Sequence, residues 1–367
     1  MIGSRALFAA LLASVSLTAC MDQLDDAALG EETSNLSTAS WSIGNVADLA
    51  QENYGSPPAM VELNGLQYWV GSWQDGTNLT ANHDLYWQRC DGRICDGPFS
   101  ISNQQSLGRV SLAVFNGHIY MVHQGDSDST AVWFSRFDLG TNTWTSNTKL
   151  SFTTYGGAPA LAAFNGQLVM VGSTHVGNTY PLWYATMGTD ETWTARGSVA
   201  GEESASPSSL AVFGSTLYLG HRWGQTAEIV LQQLSTNGSW SAVQHIPAGP
   251  GGANIQGNDV QLAVVNGYLH LIHHRFNDAN DYWWTYNRGC DAFASEVTVP
   301  SYSHSTQASL SATSAGLRLS ALEDHAVPYS GFTINYIYQA YFAAPPPPIT
   351  RPICGIIGIG GVGVFGP

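Results

Sequence analysis

Basic residues are scarce in this chain of 367 residues. It holds 12 lysines and arginines against 27 aspartates and glutamates, and Lys149 is its only lysine. The formal net charge is −15. A nucleic-acid partner requires a basic face that neutralises phosphates, so this composition argues against one. Few charges together with 12 tryptophans and 16 tyrosines are better suited to a neutral, hydroxyl-rich ligand.

Catalytic motifs are missing as well. The sequence has no Gly-x-Ser-x-Gly elbow, no His-Glu-x-x-His helix and no phosphate-binding glycine loop. Glycoside hydrolysis needs two carboxylates at a set separation, whereas the repeated region is poor in acids and offers one adjacent pair, Glu323-Asp324. Beyond the N-terminal segment, no long stretch keeps the 3.6-residue period of a helix. We therefore predict an all-β protein that is not an enzyme.

One hairpin pattern repeats six times. Each copy has a short apolar run, a two-residue turn and a second apolar run, and successive turns are 52, 49, 49, 52 and 49 residues apart. The predicted turns are Asn64-Gly65, Asn116-Gly117, Asn165-Gly166, Gly214-Ser215, Asn266-Gly267 and Ala315-Gly316. Asn-Gly between apolar runs favours a type I′ turn, which needs positive φ at both central residues. A fixed period of this size indicates a repeat architecture such as a propeller.

Two further elements complete each repeat. An aromatic-rich run follows the hairpin by about ten residues, and a segment with one large aromatic comes next. The runs include Leu85-Tyr86-Trp87, Val132-Trp133-Phe134 and Leu182-Trp183-Tyr184, and the single aromatics are Phe99, Trp144, Trp193, Trp240 and Phe293. Four short strands per repeat make one propeller blade. We predict six blades, because a seventh would need a further hairpin that the sequence does not contain.

The sixth repeat lacks its fourth strand, and the N-terminal part of the chain supplies a replacement. Trp41 stands 23 residues before Asn64, much as Trp144 stands 21 before Asn165. We predict that Trp41-Ser42-Ile43 completes the last blade, which removes an open sheet edge. The predicted organisation is residues 1–19 as signal peptide, 20–40 as acidic, Ser-rich tether, 41–342 as propeller (with 41–46 closing the ring) and 343–367 as a Pro/Gly-rich tail.

The N-terminus has the pattern of an export signal. Arg5 provides a positive charge, and an apolar run over residues 6–17 follows it. The run ends in Leu17-Thr18-Ala19-Cys20, which resembles the lipobox of bacterial lipoproteins. That resemblance implies lipidation at Cys20, and Met21 after it implies the outer membrane of a Gram-negative cell. Ordinary secretory cleavage near Ala19 is the alternative.

Export permits disulfides. Cys90 and Cys95 flank four residues of a loop in the first repeat, so we predict that they pair locally. A zinc site is the alternative for this pair, although no other ligands stand at the usual spacing. Cys290 and Cys354 are candidates for a long-range disulfide.

Ligand-binding candidates lie directly after the second strand of each repeat, where polar, aromatic and basic side chains recur. From these positions we select seven residues as glycan-binding candidates: Trp73, Gln124, His221, Arg222, Trp223, His274 and Arg275. Planar aromatic rings stack on the C–H faces of sugars, while Arg, His and Gln side chains donate to hydroxyls. The alternative for each residue is structural, with the histidines bonding nearby carbonyls and the tryptophans packing between blades.

The pattern of two apolar residues and then His123-Gln124-Gly125-Asp126, followed by Val132-Trp133 and closed by Trp144, resembles the repeats of bacterial propeller lectins of the fucose-binding type. The resemblance covers roughly residues 58 to 342. It implies a cell-surface glycan-binding propeller with several related weak sites and no required cofactor.

Three other hypotheses remain open. A sialidase-like hydrolase would use converging arginines, for which the candidates are Arg222, Arg275 and Arg318. A sialidase Asp-box, with insertions, is resembled by the residues Ser135, Asp138, Gly140, Thr143 and Trp144. A protein-interaction platform is equally compatible with the fold. Ca²⁺ is a further possibility at Asp126-Ser127-Asp128 or in the acidic stretch 277–281.

Overall fold

Six antiparallel sheets follow one another along the chain in the computed structural model. The structure describes residues 41–43, 56–73, 83–91, 94–224, 226–247, 254–275, 282–287, 293–294, 296–299, 304–326 and 333–343. These residues belong to one compact unit that spans 40–367. The predicted all-β propeller of four-stranded antiparallel sheets is confirmed, with one extra two-residue strand in the second sheet.

Each sheet is built mainly from consecutive strands. Sheet 1 contains β2 (Ala59–Leu63), β3 (Leu66–Trp73), β4 (Asp84–Cys90) and β5 (Cys95–Gln105). Sheet 2 contains β6 (Ser111–Phe115), β7 (His118–Gln124), β8 (Ala131–Asp138), β9 (Thr143–Trp144) and β10 (Thr148–Thr153), and sheet 3 contains β11 (Ala160–Phe164), β12 (Gln167–Ser173), β13 (Pro181–Met187) and β14 (Trp193–Glu203).

The remaining sheets repeat the plan. Sheet 4 contains β15 (Ser209–Phe213), β16 (Thr216–Arg222), β17 (Ile229–Leu234) and β18 (Gln244–His245), and sheet 5 contains β19 (Gly257–Val265), β20 (Tyr268–Arg275), β21 (Tyr282–Asn287) and β22 (Val297–Thr298). Sheet 6 contains β23 (His304–Thr313), β24 (Gly316–Ala326), β25 (Thr333–Ala343) and β1 (Trp41–Ile43).

The hairpin turns explain the regular register. Asn64 and Gly65 have φ values of 54° and 77°, and the Asn-Gly pairs of sheets 2, 3 and 5 repeat this conformation. Asparagine and glycine tolerate the left-handed region better than other residues, which is why these pairs recur at the turns. The sixth turn differs from the prediction by one residue. Thr313 pairs with Gly316, so the turn residues are Ser314-Ala315.

The fourth strands are less regular than the sequence predicted. Phe99 lies in β5 and Trp193 begins β14, as expected. Trp144 lies in the two-residue β9, while Trp240 makes only an isolated bridge to Leu234 and Phe293 precedes β22. Outer strands pair on one side only, so turns and bulges interrupt them at little cost.

Strand β1 occupies the outer edge of sheet 6. Trp41 pairs with Phe342, Ser42 with Tyr341 and Ile43 with Ala340, all antiparallel to β25. The first described strand of the chain therefore lies beside the last. This strand order places a segment from before the first repeat in the position that the sixth repeat leaves empty.

The first strands of the six sheets meet around a central channel. Neighbouring first strands are in contact in the cyclic order β2, β6, β11, β15, β19, β23 and back to β2. The channel has a volume of about 100 Å³ and is lined by residues of all six strands or their approaches. Second strands such as β7 and β12 are buried at nearly every position. Burial on both faces is the consequence of packing each sheet between two others.

A buried ion pair lies beside this channel. Arg109, just before β6, donates from Nη1 to Asp259 in β19 and to the carbonyl of Ala308 in β23. Asp259 also accepts from the backbone N–H of Ala308 and from Gln261 at 3.1 Å. Both charged side chains are almost fully buried. Arg109 thus joins sheet 2 to sheets 5 and 6 on the other side of the ring.

The predicted Cys90–Cys95 disulfide is confirmed, and it joins β4 to β5 across the loop between them. Several other predictions concern positions outside the described residues: the signal peptide and tether, lipidation at Cys20, Cys290, Cys354 and the tail that follows Ala343. In the described part of the chain, no helix is long and apolar enough to cross a membrane.

Candidate functional site

Two sets of loops share one end of the sheets. The first set joins second to third strands, and the second set joins each outer strand to the next sheet. Backbone hydrogen bonds connect the sets, from Ser106 to His83, from Thr154 to Thr130 and from Ser204 to Tyr180, at 2.8–2.9 Å. We call this end of the sheets the loop face. All seven predicted binding residues belong to it by sequence position.

A buried hydroxyl organises each of these connections. Ser106, Thr154 and Ser204 donate to carbonyls two or three residues ahead, at 2.8, 2.7 and 2.9 Å. Each of the three stands 10 or 11 residues before a hairpin turn, so the sequence carries a signal for them, although they are absent from the predicted site residues. These bonds hold the loops in fixed conformations, which is a requirement for a preformed binding surface.

A depression of about 340 Å³ lies on the loop face between sheets 2 and 3. Arg109, Gln124, Thr130, Tyr155 and Pro207 contribute to its walls. The structure therefore brings one predicted residue, Gln124, to a concave site. Its side-chain amide donates to the carbonyl of Ser129, which fixes the orientation of the group. The volume falls within the range of about 300–1,000 Å³ that is typical of small-molecule sites.

Two glycines shape the rim of this depression. Gly156 and Gly157 have φ values of 75° and 140°. A Cβ atom on Gly156 would lie 2.9 Å from the carbonyl oxygen of Ala205, and one on Gly157 would lie 2.9 Å from Pro207. Only glycine combines positive φ with so close an approach. The loop before β11 can therefore pack directly on the loop before β15.

Three aromatic rings stand beside the depression. Tyr155 is 39% exposed, and its ring centroid lies 5.0 Å from that of His175 and 4.9 Å from that of Tyr180. His175 and Tyr180 are themselves 5.0 Å apart and nearly parallel. Such a stack presents an accessible planar surface next to hydrogen-bonding groups. Tyr155 and Tyr180 were not among the predicted site residues, because the sequence does not reveal that loops distant along the chain meet here.

Trp223 is another accessible aromatic residue of the loop face. It is 38% exposed, and its ring meets the edge of His245 at 4.8 Å. The preceding Arg222 donates to Asn258 at 2.9 Å and to the carbonyl of Thr226. Partial burial lowers the pKa of Arg222 from its ordinary value. Trp223 is thus placed for stacking, while Arg222 already has protein partners.

The predicted histidines are buried. His221 is inaccessible to solvent and bonds through Nδ1 to the carbonyl of Arg222 at 3.0 Å, and burial lowers its pKa to about 4. His274 is 4% exposed and packs against Tyr282. Both side chains lie within the packing between strands. The ligand-binding role predicted for the two imidazoles stays a prediction.

Trp73 and Arg275 end β3 and β20 at the loop face. Their backbones pair with Asp84 and Gly257, whereas their side chains lie outside the described part of the structure. The sequence-based hypothesis for these two residues stays a prediction.

The sialidase-like arrangement of arginines does not form. Arg318 stands two residues into β24, near the hairpin turn, and lies over the ring of Trp69 at 5.8 Å. Arg222 stands at the far end of its own strand. Arg318 and Arg222 therefore belong to opposite ends of the sheets. Asp138 of the Asp-box-like segment accepts backbone N–H bonds from Thr141 and Gly140, which lower its pKa and close a tight turn.

The described acidic loop offers no assembled metal site. Asp126 pairs with His83, and Asp128 pairs with Lys149 at 2.9 Å and accepts from Thr130. Within the described residues, no three His, Cys, Asp or Glu side chains cluster closely enough to hold a metal ion. The other calcium candidate, 277–281, lies outside the described residues.

Comparison with known proteins identifies the fold alone. No family model and no curated protein matches the chain. The structure is similar to a protein of unknown function from Dyadobacter fermentans, with a TM-score of 0.60, 11% identity, and coverage of 80% of this chain and 95% of that one. It is also similar to a mutant of Trypanosoma rangeli sialidase displaying trans-sialidase activity, with a TM-score of 0.53, 11% identity, and coverage of 82% and 58%. What these likenesses share with our chain is the propeller architecture.

Proposed function

We propose that this chain is an exported, lipid-anchored propeller of six blades that binds neutral glycans at several weak, related sites without catalysis. The observation that carries the proposal is the depression on the loop face. It combines a fixed amide, Gln124, with an exposed ring, Tyr155, in a preformed hollow of about 340 Å³. The cyclic contacts of six first strands support the blade count.

The chemistry of the hollow suits a pyranose. The ring of Tyr155 would cover the C–H face of the sugar, and Gln124 and Thr130 would bond its hydroxyls. Arg109 also lines the hollow, but its guanidinium is paired with Asp259. Because Asp259 already balances the positive charge of Arg109, the hollow favours a neutral sugar over an anionic one. Trp223 would supply a second stacking surface elsewhere on the loop face.

Affinity at any one hollow should be low, because it is shallow and offers few hydrogen bonds. Useful strength would come from several sites engaging a multivalent glycan surface at once, which raises avidity without new contacts. This mode of binding suits a protein displayed on a cell surface and directed at extracellular glycans.

We predict that Tyr155→Ala weakens binding to immobilised neutral glycans by about tenfold, equivalent to about 1.4 kcal/mol. The stacking surface of the ring, which is 39% exposed, is lost. Its contacts with His175 and Tyr180 are lost as well, so the melting temperature of the variant is measured alongside binding. Val176→Ala is the matched control, because Val176 is an exposed apolar residue of the neighbouring loop. A glycan array followed by titration calorimetry measures the effect. Equal affinity of Tyr155→Ala and the parent chain would refute the site, and release of reducing sugar by the pure protein would refute the non-catalytic proposal.

The proposed anchoring is tested separately. The lipobox-like segment 17–20 predicts that Cys20→Ser moves the protein from the membrane fraction to the soluble fraction, because acyl chains on that cysteine would provide the attachment. Fractionation of cells that express each form is the measurement. Equal membrane association of both forms would contradict lipidation at Cys20.

A further inference from the structure

A larger cleft lies between sheets 1 and 2, away from the loop face. Its volume is about 490 Å³, and Trp87, Phe99 and Trp144 contribute aromatic rings to it. Arg89, close to the end of β4, and Asn142, in the turn before β9, also line it. Arg89 and Asn142 lie at the end of the sheets opposite the loop face. The third strands β4 and β8 both run away from the loop face, and Arg89 is near the end of β4, while Asn142 is in the turn after β8.

The cleft exists because sheets 1 and 2 pack against each other differently from sheets 2 and 3 and from sheets 3 and 4. At the junction of sheets 2 and 3, Trp193 contacts Phe134 at a centroid distance of 5.7 Å. Trp240 meets Tyr184 at 5.6 Å in the same way between sheets 3 and 4. In both cases a tryptophan of the fourth segment covers a third-strand aromatic of the preceding sheet, and the junction is filled.

Trp87 and Trp144 are the corresponding residues between sheets 1 and 2. Here Phe137 takes the central place and contacts Trp87 at 4.7 Å and Trp144 at 5.4 Å. Trp87 also contacts Phe99 at 4.9 Å, and Phe99 remains 45% exposed. Phe137 therefore separates Trp87 from Trp144, and the cleft between these two tryptophans stays open, with aromatic rings in its walls.

Hydrogen-bonding groups frame the opening. Arg89 donates to Asn142 at 3.2 Å across the two sheets and to Asp96 at 2.8 Å. Because the bond and the charge of Asp96 stabilise the guanidinium, the pKa of Arg89 is raised. The cation is therefore already matched by a carboxylate. The rest of the polar lining is uncharged: Ser100, Ser102, Asn103, Thr143, Thr145 and Ser146.

We propose that this cleft is a second binding site, which takes a neutral hexopyranose at the outer edge of sheets 1 and 2. Aromatic walls bind the C–H faces of the sugar, and the hydroxyl and amide rim binds its hydroxyls. The ligand class rests on the proposed function, whereas the location of the site does not. With one site on the loop face and another at the outer edge of its sheets, the protein would bridge two glycan-bearing surfaces.

The test uses the full chain with Phe99→Ala and Asn142→Gly combined. Asn142 has a φ of 53°, so glycine keeps the turn while the amide is removed. Asn116→Gly is the matched control, because Asn116 has a φ of 49° in the hairpin turn between β6 and β7. Ser102→Trp is a second variant that fills the cleft from an exposed position. The probes are methyl glycosides of neutral hexoses for titration and beads that carry the same sugars for agglutination.

We expect both cleft variants to lose one binding site per chain and to require at least tenfold more protein for agglutination, while Asn116→Gly behaves as the parent chain. Unchanged stoichiometry and agglutination in both cleft variants would overturn the second site, as would a parent chain that binds none of the probes. Tyr155→Ala separates the two proposals. If it leaves binding intact while the cleft variants reduce it, the depression is refuted and the cleft is supported.

Discussion

Arg109→Met should lower the free energy of unfolding by about 3–5 kcal/mol, the largest effect that we expect from a single substitution in this chain. Arg109 is the cationic partner of Asp259, and both side chains are almost fully buried. Removing the guanidinium leaves a buried carboxylate without its cation, although it still accepts from the Ala308 N–H and the Gln261 amide. An uncompensated buried charge carries a penalty of this size. Urea denaturation followed by tryptophan fluorescence measures the loss.

A double-mutant cycle separates the ion pair from simple packing. Asp259 has a φ of 49°, which asparagine tolerates, so Asp259→Asn removes the charge without a change of backbone conformation. We expect the combined variant to be less destabilised than the sum of the two single variants, because neither charge is left alone in it. Strict additivity would show that Arg109 stabilises the ring through packing and not through its charge.

Acid should destabilise the protein through its buried imidazoles. His123, His221 and His270 are inaccessible to solvent, and burial lowers the pKa of each to about 4. His270 also accepts a hydrogen bond at Nδ1 from the indole N–H of Trp284 at 3.1 Å, which requires that nitrogen to be unprotonated. All three side chains are therefore neutral in the folded state at neutral pH.

The sign of the pH dependence follows from these values. An unfolded histidine has a pKa near 6.5, so between pH 6.5 and about 4 the unfolded chain binds protons that the folded chain refuses. Stability is therefore lost as the pH falls through that window, and the loss levels off below about 4. At pH 5 each imidazole contributes a loss of about 2 kcal/mol relative to pH 8. The three residues lie in different sheets, so their contributions should add.

Unfolding free energies measured by urea titration at pH 8 and pH 5 test this prediction. His123→Gln keeps a polar side chain at the position and removes the titration, so it should reduce the difference between the two pH values by about a third. His221→Gln should do the same. A pH difference that neither substitution reduces would place the acid sensitivity elsewhere in the molecule.

The geometry of the candidate site was only partly predictable from the sequence. The repeats predicted polar and aromatic residues after the second strands, and there Gln124 lines a depression and Trp223 is accessible. Polarity at a strand end does not reveal burial, so the sequence could not show that His221 and His274 are buried. Tyr155 and Tyr180 were missed because they are about 25 residues apart and meet only when two loops pack.

The sequence by itself determined the propeller class, five of the six hairpin turns and the Cys90–Cys95 pair. These features depend on local physics: positive φ at Asn-Gly, alternating short apolar runs, and two cysteines separated by five positions. The tertiary structure alone decided which side chains are accessible, how Arg109 reaches Asp259 across the channel, and why the junction of sheets 1 and 2 opens into a cleft. Each of these depends on contacts between residues far apart in the chain, and such contacts follow from how neighbouring sheets pack rather than from any local pattern.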